Sequence, residues 1–371
     1  MHVSLYIGHH KVGSTSLQVF LSQNVVRLIR NGILYPYTEM QGAASVAARM
    51  LSGDRASALT ANVREPHSAL AYQFMSEAAN FPIPRQFTLL PARQQMIRAI
   101  RMQVAELKPK AVILCSEAFA NFGAVKPELI DAVTQIFPDA TFSVYGALRR
   151  PDEYLASWHN QRVKVGERAG LLAGEGWRSY EATIHFNYRL AVEDWLIRVP
   201  GDAKVLRNYA DILAAGGSEA DFMTHSGIDF PDGMIPARRA NKSLHPALVE
   251  IVRQANHVLT PPEANTLAQF LMKNQASLDL PPASDIEFFG PESRRAMFQA
   301  FLPSHAWLSG ITGQAAFFPD IDDMLTCRPL PEAEAMRAAL AALSDDRIAP
   351  LQARPREFLA HLRATPNPTE V

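Results

Sequence analysis

Two glycines, a lysine and a run of hydroxyl side chains fall together in GHHKVGST, residues 8–15. That combination suits the holding of a phosphate. Glycines let a backbone turn sharply and present N–H groups inward, and a helix start with hydroxyl residues adds donors at the positive end of the helix dipole. The spacing of Gly8 and Gly13 matches G-x-x-x-x-G-K-[ST], but Ser14 stands at the lysine position of that pattern. The lysine is Lys11, within the loop. From there it reaches over the outer end of a bound group, while the N–H groups and hydroxyls of Gly13, Ser14, Thr15 and Ser16 hold the phosphate. A nucleoside triphosphate would also need magnesium, and no apolar strand ending in Asp offers its second ligand. Taken alone, the segment also reads as a turn leading into a Ser/Thr-capped helix.

A second candidate constellation is ALRRPDEYLASWHNQ, residues 147–161. Arg149 and Arg150 end an apolar run, Pro151 is preorganised for a first helical turn, and Ser157 follows along the helix. An arginine at a strand end makes bidentate contacts with phosphate, and a phosphate lying beside the helix would receive both the Arg149 guanidinium and the Ser157 hydroxyl. The alternative is a surface arginine pair and an ordinary helix serine. The histidines show no HxH or HxxxH spacing, so no metal site is expected.

The elements that must position these residues follow from periodicity. VSLYIG (3–8) is a short apolar run ending in glycine, and residues 14–30 place Leu17, Phe20, Leu21, Val25, Leu28 and Ile29 at helical intervals. AVILCSE (111–117), TFSVYGALRR (141–150) and DAKVLRNY (202–209) read as further strands, with a crossover helix at ELIDAVTQIF (128–137). Strands alternating with helices predict an α/β fold, a parallel sheet flanked by helices, with ligands at the carboxyl ends of the strands. The stretch 38–95 reads as an insertion or partly helical lid. From 244 onward the pattern is helical with Pro-rich connections, so the expected organisation is an α/β core over 1–260 and a helical extension over 261–371 packed on the same domain.

Composition narrows the function classes. The 371 residues carry 36 Lys and Arg against 37 Asp and Glu, a net charge of -1, which gives no electrostatic basis for nucleic acid as the main partner. An anion site must therefore be local. Two cysteines are too few for a disulfide framework, which points to a cytoplasmic setting. No run is long enough for a transmembrane segment, and the start lacks the pattern of a signal peptide.

With both segments in view, the chain resembles the sulfotransferases that use 3′-phosphoadenosine 5′-phosphosulfate (PAPS). The K-x-G-[ST]-T segment of that family reads here Lys11-Val12-Gly13-Ser14-Thr15, and its R-x-P segment with a following serine reads Arg149-Arg150-Pro151 with Ser157. The wider wording HKVGSTSLQ, NGILYP, VILCSEAF, LRRPDEYLASWHNQ, VLRNYADIL and RRANKSLHPALVEIVRQAN is similar to the bacterial branch and covers about residues 3 to 258. The resemblance implies that the first segment holds the 5′-phosphosulfate, with Lys11 neutralising charge as the S–O bond breaks, and that Arg149 and Ser157 hold the 3′-phosphate. No metal is then required. The R-K-G motif of eukaryotic cytosolic members is absent, and Arg238, Arg239, Asn241, Lys242 and Ser243 in RRANKSL are the expected substitutes for it, with Arg239 and Lys242 foremost, or else a basic loop capping the next helix. The implied reaction moves a sulfuryl group to a hydroxyl or amine of a carbohydrate, lipid or small-metabolite acceptor and releases 3′-phosphoadenosine 5′-phosphate (PAP).

An alcohol acceptor needs a base. Glu39 lies where some relatives place a catalytic glutamate, Glu117 closes the AVILCSE strand, His67 lies in the expected lid, and His10 precedes Lys11 among the residues expected to touch the cofactor. Glu39 ranks ahead of Glu117 and His67. The rival readings are an ATP-dependent phosphotransferase with a kinase-like loop, which the serine at position 14 disfavours, and an inactive nucleotide-binding protein of the same fold. Acceptor identity and oligomeric state are not written in the sequence.

Overall fold

The structure, a computed structural model, describes residues 1–52, 59–87, 89–237 and 243–365. The described chain forms two compact units, each assembled from several stretches. Unit 1 comprises Met1–Arg150, Thr183–Arg239 and Ser304–Phe318, and unit 2 comprises Pro151–Ala182, Ala240–Pro303 and Pro319–Val371. The division follows no single boundary along the chain: 151–182 and 240–260, both inside the expected core, belong to unit 2.

Unit 1 is built on a five-stranded parallel sheet in the order β2-β3-β1-β4-β5. The strands are β1 (His2–Tyr6), β2 (Ile33–Leu34), β3 (Ala111–Cys115), β4 (Thr141–Leu148) and β5 (Lys204–Asn208). Beta-branched and apolar runs such as AVILC are buried along their whole length, as a sheet covered on both faces requires. Because β1 lies between β3 and β4, the chain winds to one side of β1 and then to the other. The carboxyl end of β1 is therefore the switch point where such sheets open a crevice.

The first helix runs Ser14–Gln23 and a second runs Val25–Arg30, where the periodicity alone predicts one helix. Asn24 makes the break. Its amide donates to the carbonyls of Phe20 and Ile235 at 2.9 and 2.8 Å, and its Oδ1 accepts from the Ile235 N–H at 2.9 Å. The apolar stripe behaves as expected, with Leu17, Phe20, Leu21 and Leu28 packed on Tyr6, Ile113 and Tyr145 of the sheet. β2 is a two-residue edge strand between Gly32 and Pro36, too short for a periodic pattern to reveal. Within 38–95, the helix Pro66–Ala79 is not a lid. His67, Ser68, Leu70, Phe74 and Met75 are buried, and the His67 ring accepts from the Cys115 N–H, so this helix is part of the core against β3.

Unit 2 is mainly helical. Helices Pro151–Lys164, Pro246–Val258, Pro261–Asn274, Glu332–Ala342 and Ala353–Ala364 surround a core that includes Val163, Leu248, Ile251, Leu267, Met336 and Leu359. A two-residue parallel pair, β6 (Ile286–Glu287) and β7 (Leu330–Pro331), completes it. Pro246–Val258 buries polar residues as well as apolar ones. Arg253 is 1% exposed and donates to both carboxylate oxygens of Glu250 at 2.6 and 2.8 Å, and Gln254 donates to Glu250 at 2.7 Å.

Candidate functional site

The loop between β1 and the first helix extends the pairing of β1 with β4. The Ile7 and His9 N–H groups donate to the Tyr145 and Ala147 carbonyls at 3.0 and 2.7 Å, and the Ala147 N–H donates to the Gly8 carbonyl at 2.7 Å. Two glycines are imposed by close approach. Gly8 has a φ of 96°, and a Cβ there would lie 2.9 Å from the Glu117 Cα; Gly13 has a φ of 83°, and a Cβ there would lie 2.1 Å from the Ser218 Oγ. Ser218 is held in place by its hydrogen bond to the Val12 carbonyl at 2.9 Å. Lys11, partly exposed, takes a left-handed φ of 60° between them.

Gly13 is the residue before the helix, and the Leu17 N–H donates to the Gly13 carbonyl at 3.2 Å. The N–H groups of the first turn, from Ser14 to Ser16, precede that first intrahelical bond and point out of the helix end. No acidic residue lies in that turn, which leaves the dipole's positive end uncancelled from within the helix. The hydroxyls are distributed differently from the N–H groups. Ser14 hydrogen-bonds Glu117, and Ser16 donates to Glu219 Oε1 at 2.6 Å, while Thr15 is partly exposed. An anion at this end would therefore meet the backbone and Thr15, since the Ser14 and Ser16 side chains serve two carboxylates.

Glu117 begins the short helical turn Glu117–Asn121 directly after β3. Its carboxyl is pushed up to about 7 by burial and by the charge of Glu65, against the opposing hydrogen bonds of Ser14 and Gln18. A carboxyl poised near neutrality beside an anion loop has the proton affinity a general base needs. Glu65 itself is ion-paired with Arg64 at 2.5 Å. The other candidates are placed differently. His67 is completely buried and held down at about 3 by that burial, with Nδ1 occupied by the Cys115 N–H at 3.1 Å and the ring edge-on to Tyr35 at 4.6 Å. Its surroundings make it a structural imidazole inside the core. Glu39 is half-buried just before the helix Met40–Ser52, and its Oε1 is bonded to no group among the described residues.

His10 is buried against His9 and His185, with ring centroids 5.7 and 6.0 Å away, and is held well below its ordinary value by burial and by those rings and Lys11. It is a neutral wall of the loop. His9 is held at about 4 by burial, hydrogen-bonds the Ile184 carbonyl through Nε2 at 2.8 Å, and packs on Tyr188 at 5.4 Å. The Tyr188 hydroxyl donates to the Arg149 carbonyl at 2.6 Å. On the other flank, the Arg149 guanidinium lies 5.4 Å over the ring of Tyr209, whose edge is 3.9 Å from the Cβ position of Gly13. Two independent contacts thus tie Arg149, at the end of β4, to the loop at the end of β1. Ser157 lies half-buried in the helix Pro151–Lys164 of unit 2. Arg239 and Lys242 fall outside the described residues.

Sequence reasoning missed Tyr188, Tyr209, Gln18 and Glu219. Tyr209 carried a usable signal, since it ends the predicted strand DAKVLRNY (202–209) at the ligand end of the sheet. The others become visible only when distant segments meet. No family model, curated protein or solved structure matches the chain. The fold and site define the class by themselves: a parallel α/β protein whose central strand leads through a glycine loop into a helix, with Lys11, Arg149 and a near-neutral Glu117 gathered around that loop. Among the described residues no helix is long and apolar enough to cross a membrane.

Proposed function

We propose that the protein is a PAPS-dependent sulfotransferase that moves a sulfuryl group to a hydroxyl or amine of a carbohydrate, lipid or small-metabolite acceptor and releases PAP. The observation that carries this reading is the approach of Arg149 to the Lys11–Thr15 loop through Tyr209 and Tyr188. Arg149, from one of the two segments that suggested phosphate contacts, is thus a neighbour of the loop formed by the other. PAPS would supply the activated sulfuryl group. The first-turn N–H groups and Thr15 would bind its 5′ end, Lys11 would neutralise charge on the departing phosphate, and Arg149 would pair with the 3′-phosphate. Ser157, Arg239 and Lys242 belong to the same proposal through the resemblance of their segments.

Glu117 replaces Glu39 as the favoured base. It adjoins the loop through Gly8 and Ser14, and its proton affinity lies near the working pH, so as a carboxylate it takes the acceptor proton while the new S–O or S–N bond forms. A cytoplasmic location fits the two free thiols, Cys115 and Cys327.

Calorimetric titration with PAP, beside magnesium-ATP, tests the cofactor. Micromolar or tighter PAP binding that is lost in Arg149→Ala, with weak ATP binding, supports the reading. Lys11→Ala should abolish transfer yet weaken PAP binding far less than Arg149→Ala does. Magnesium-ATP binding with indifference to PAP would mean a divergent kinase loop.

A further inference from the structure

Gln18 lies one helical turn beyond Ser14 and is wholly buried. Its Nε2 is 3.0 Å from the Ser68 Oγ, 3.2 Å from the Cys115 carbonyl oxygen and 3.2 Å from Glu117 Oε2. Its Oε1 is buried and has no hydrogen-bond partner among the described residues. That asymmetry has a physical reason. A backbone carbonyl can only accept, so the NH2 group must face Cys115; turning the amide over would set two acceptor oxygens at hydrogen-bond distance. The same orientation presents a donor to Glu117. Leaving an amide oxygen unsatisfied in the interior is unfavourable, so the arrangement keeps the donor face at the expense of the acceptor.

We propose that Gln18 is the positioning residue of this site: its amide, locked by the Cys115 carbonyl, holds Glu117 as an oriented carboxylate able to accept a proton. The Ser68 and Ser116 hydroxyls, 2.9 Å apart, tie the amide to the turn that carries Glu117, since Ser116 Oγ also accepts from the Ala118 N–H at 3.0 Å. A donor that cannot turn away favours the ionised form of the carboxyl it faces.

The titratable groups packed around Glu117 leave this role to Gln18 near neutrality. Cys115, Tyr6 of β1, Tyr35, and Tyr72 of the helix Pro66–Ala79 are all pushed above their ordinary values by burial and stay uncharged. His67, whose ring accepts from the Cys115 N–H, and His10 of the adjoining loop are held low and are also uncharged. Charge is left to Glu65 with its partner Arg64, and to Lys11 on the adjoining loop. Burial and Glu65 push the Glu117 proton affinity up, and the Ser14 and Gln18 hydrogen bonds oppose them.

The proposal rests on Glu117 as the base, but its test does not need transfer to occur. Full-length protein labelled with carboxyl-13C glutamate is titrated by NMR without nucleotide, and the Glu117 resonance is assigned by its loss in Glu117→Gln. Gln18→Met, similar in length and without a donor, should raise the midpoint by about one pH unit. Gln18→Asn, which keeps the amide but withdraws it by one methylene, should move it the same way and serves if the Met variant does not fold. Ser68→Ala leaves the Cys115 and Glu117 contacts and should leave the midpoint in place. An unmoved midpoint in a folded Gln18 variant, or an equal rise in Ser68→Ala, overturns the role. With a transfer assay in hand, the acid limb of the pH–rate profile should move with the midpoint. If the midpoint rises as expected and Glu117→Gln still transfers at the normal rate, Gln18 still sets the proton affinity of Glu117, and it is the reading of Glu117 as base that fails.

Discussion

At the scale of single residues, the proposed role of Glu117 as base fixes how the proposed transfer should depend on pH. The carboxylate is the basic form, and burial with Glu65 places its midpoint at about 7. Transfer to an alcohol should therefore fall about tenfold per pH unit below that midpoint and level off above it. Glu117→Gln should lower the rate by about 10²–10⁴-fold and remove the acid limb, with PAP binding retained. A Glu117→Gln variant that keeps the acid limb would assign that limb to another group. Lys11, Gly13 and Arg149 stand out in the sequence by type and spacing, and the fold brings them to one loop. The environments that separate the candidate bases were not legible there. Glu39, Glu117 and His67 look alike as letters, and what separates them is burial beside Glu65, the contact with Ser14, and the enclosure of His67 behind β3. Gln18 gave no signal at all, since a glutamine inside an apolar helix pattern acquires its role only when Cys115 and Ser68 come to meet it.

At the scale of elements, the loop is shaped by what packs behind it. Gly13 combines a left-handed φ of 83° with the approach of Ser218, from the helix Ser218–His225. Gly13→Ala should cost about 2–4 kcal/mol in urea denaturation, the sum of left-handed strain and overpacking. In a Ser218→Gly background the overpacking part should vanish and leave about 1–2 kcal/mol. Strict additivity of the two substitutions would rule out the Ser218 contact as a cause. The four longer strands and the helix face of residues 14–30 were legible because buried parallel strands and amphipathic helices carry strong periodicity. What was not legible arose from tertiary contacts. Asn24 interrupts the helix by bonding to Ile235, and Pro66–Ala79 becomes core by docking on β3, and neither partner is near in sequence.

At the scale of the whole molecule, buried ionisable groups in both units set a common pH optimum for stability. In unit 1, His9 and His67 are held at about 4 and 3, and His10 is held well below its ordinary value; in unit 2, His159 is held at about 4 and His245 is also lowered. Each such histidine binds fewer protons folded than unfolded, so its contribution is full above the ordinary histidine value of 6.5 and is lost as pH falls toward its folded value. The raised carboxyls act in the opposite sense. Glu117 at about 7 and Glu332 at about 8 bind more protons folded than unfolded, so stability declines as pH rises from the ordinary value of 4.5 to those values. Glu332 is raised by burial and by Glu250, with Arg253 only partly offsetting them. Histidines outnumber these carboxyls in each unit, so stability should rise from pH 4 to about 6.5 and then fall toward 8. Between pH 7 and 8 the decline belongs mainly to Glu332 and unit 2, at up to about 1.4 kcal/mol per pH unit for one proton, or about 3–6 °C in Tm. Calorimetric melting across this range reads the curve directly. Glu332→Gln, which keeps shape without charge, should flatten the limb above pH 7 and leave the rise below 6.5 intact; a limb that persists in that variant would trace the loss to groups other than the Glu250–Arg253–Glu332 cluster.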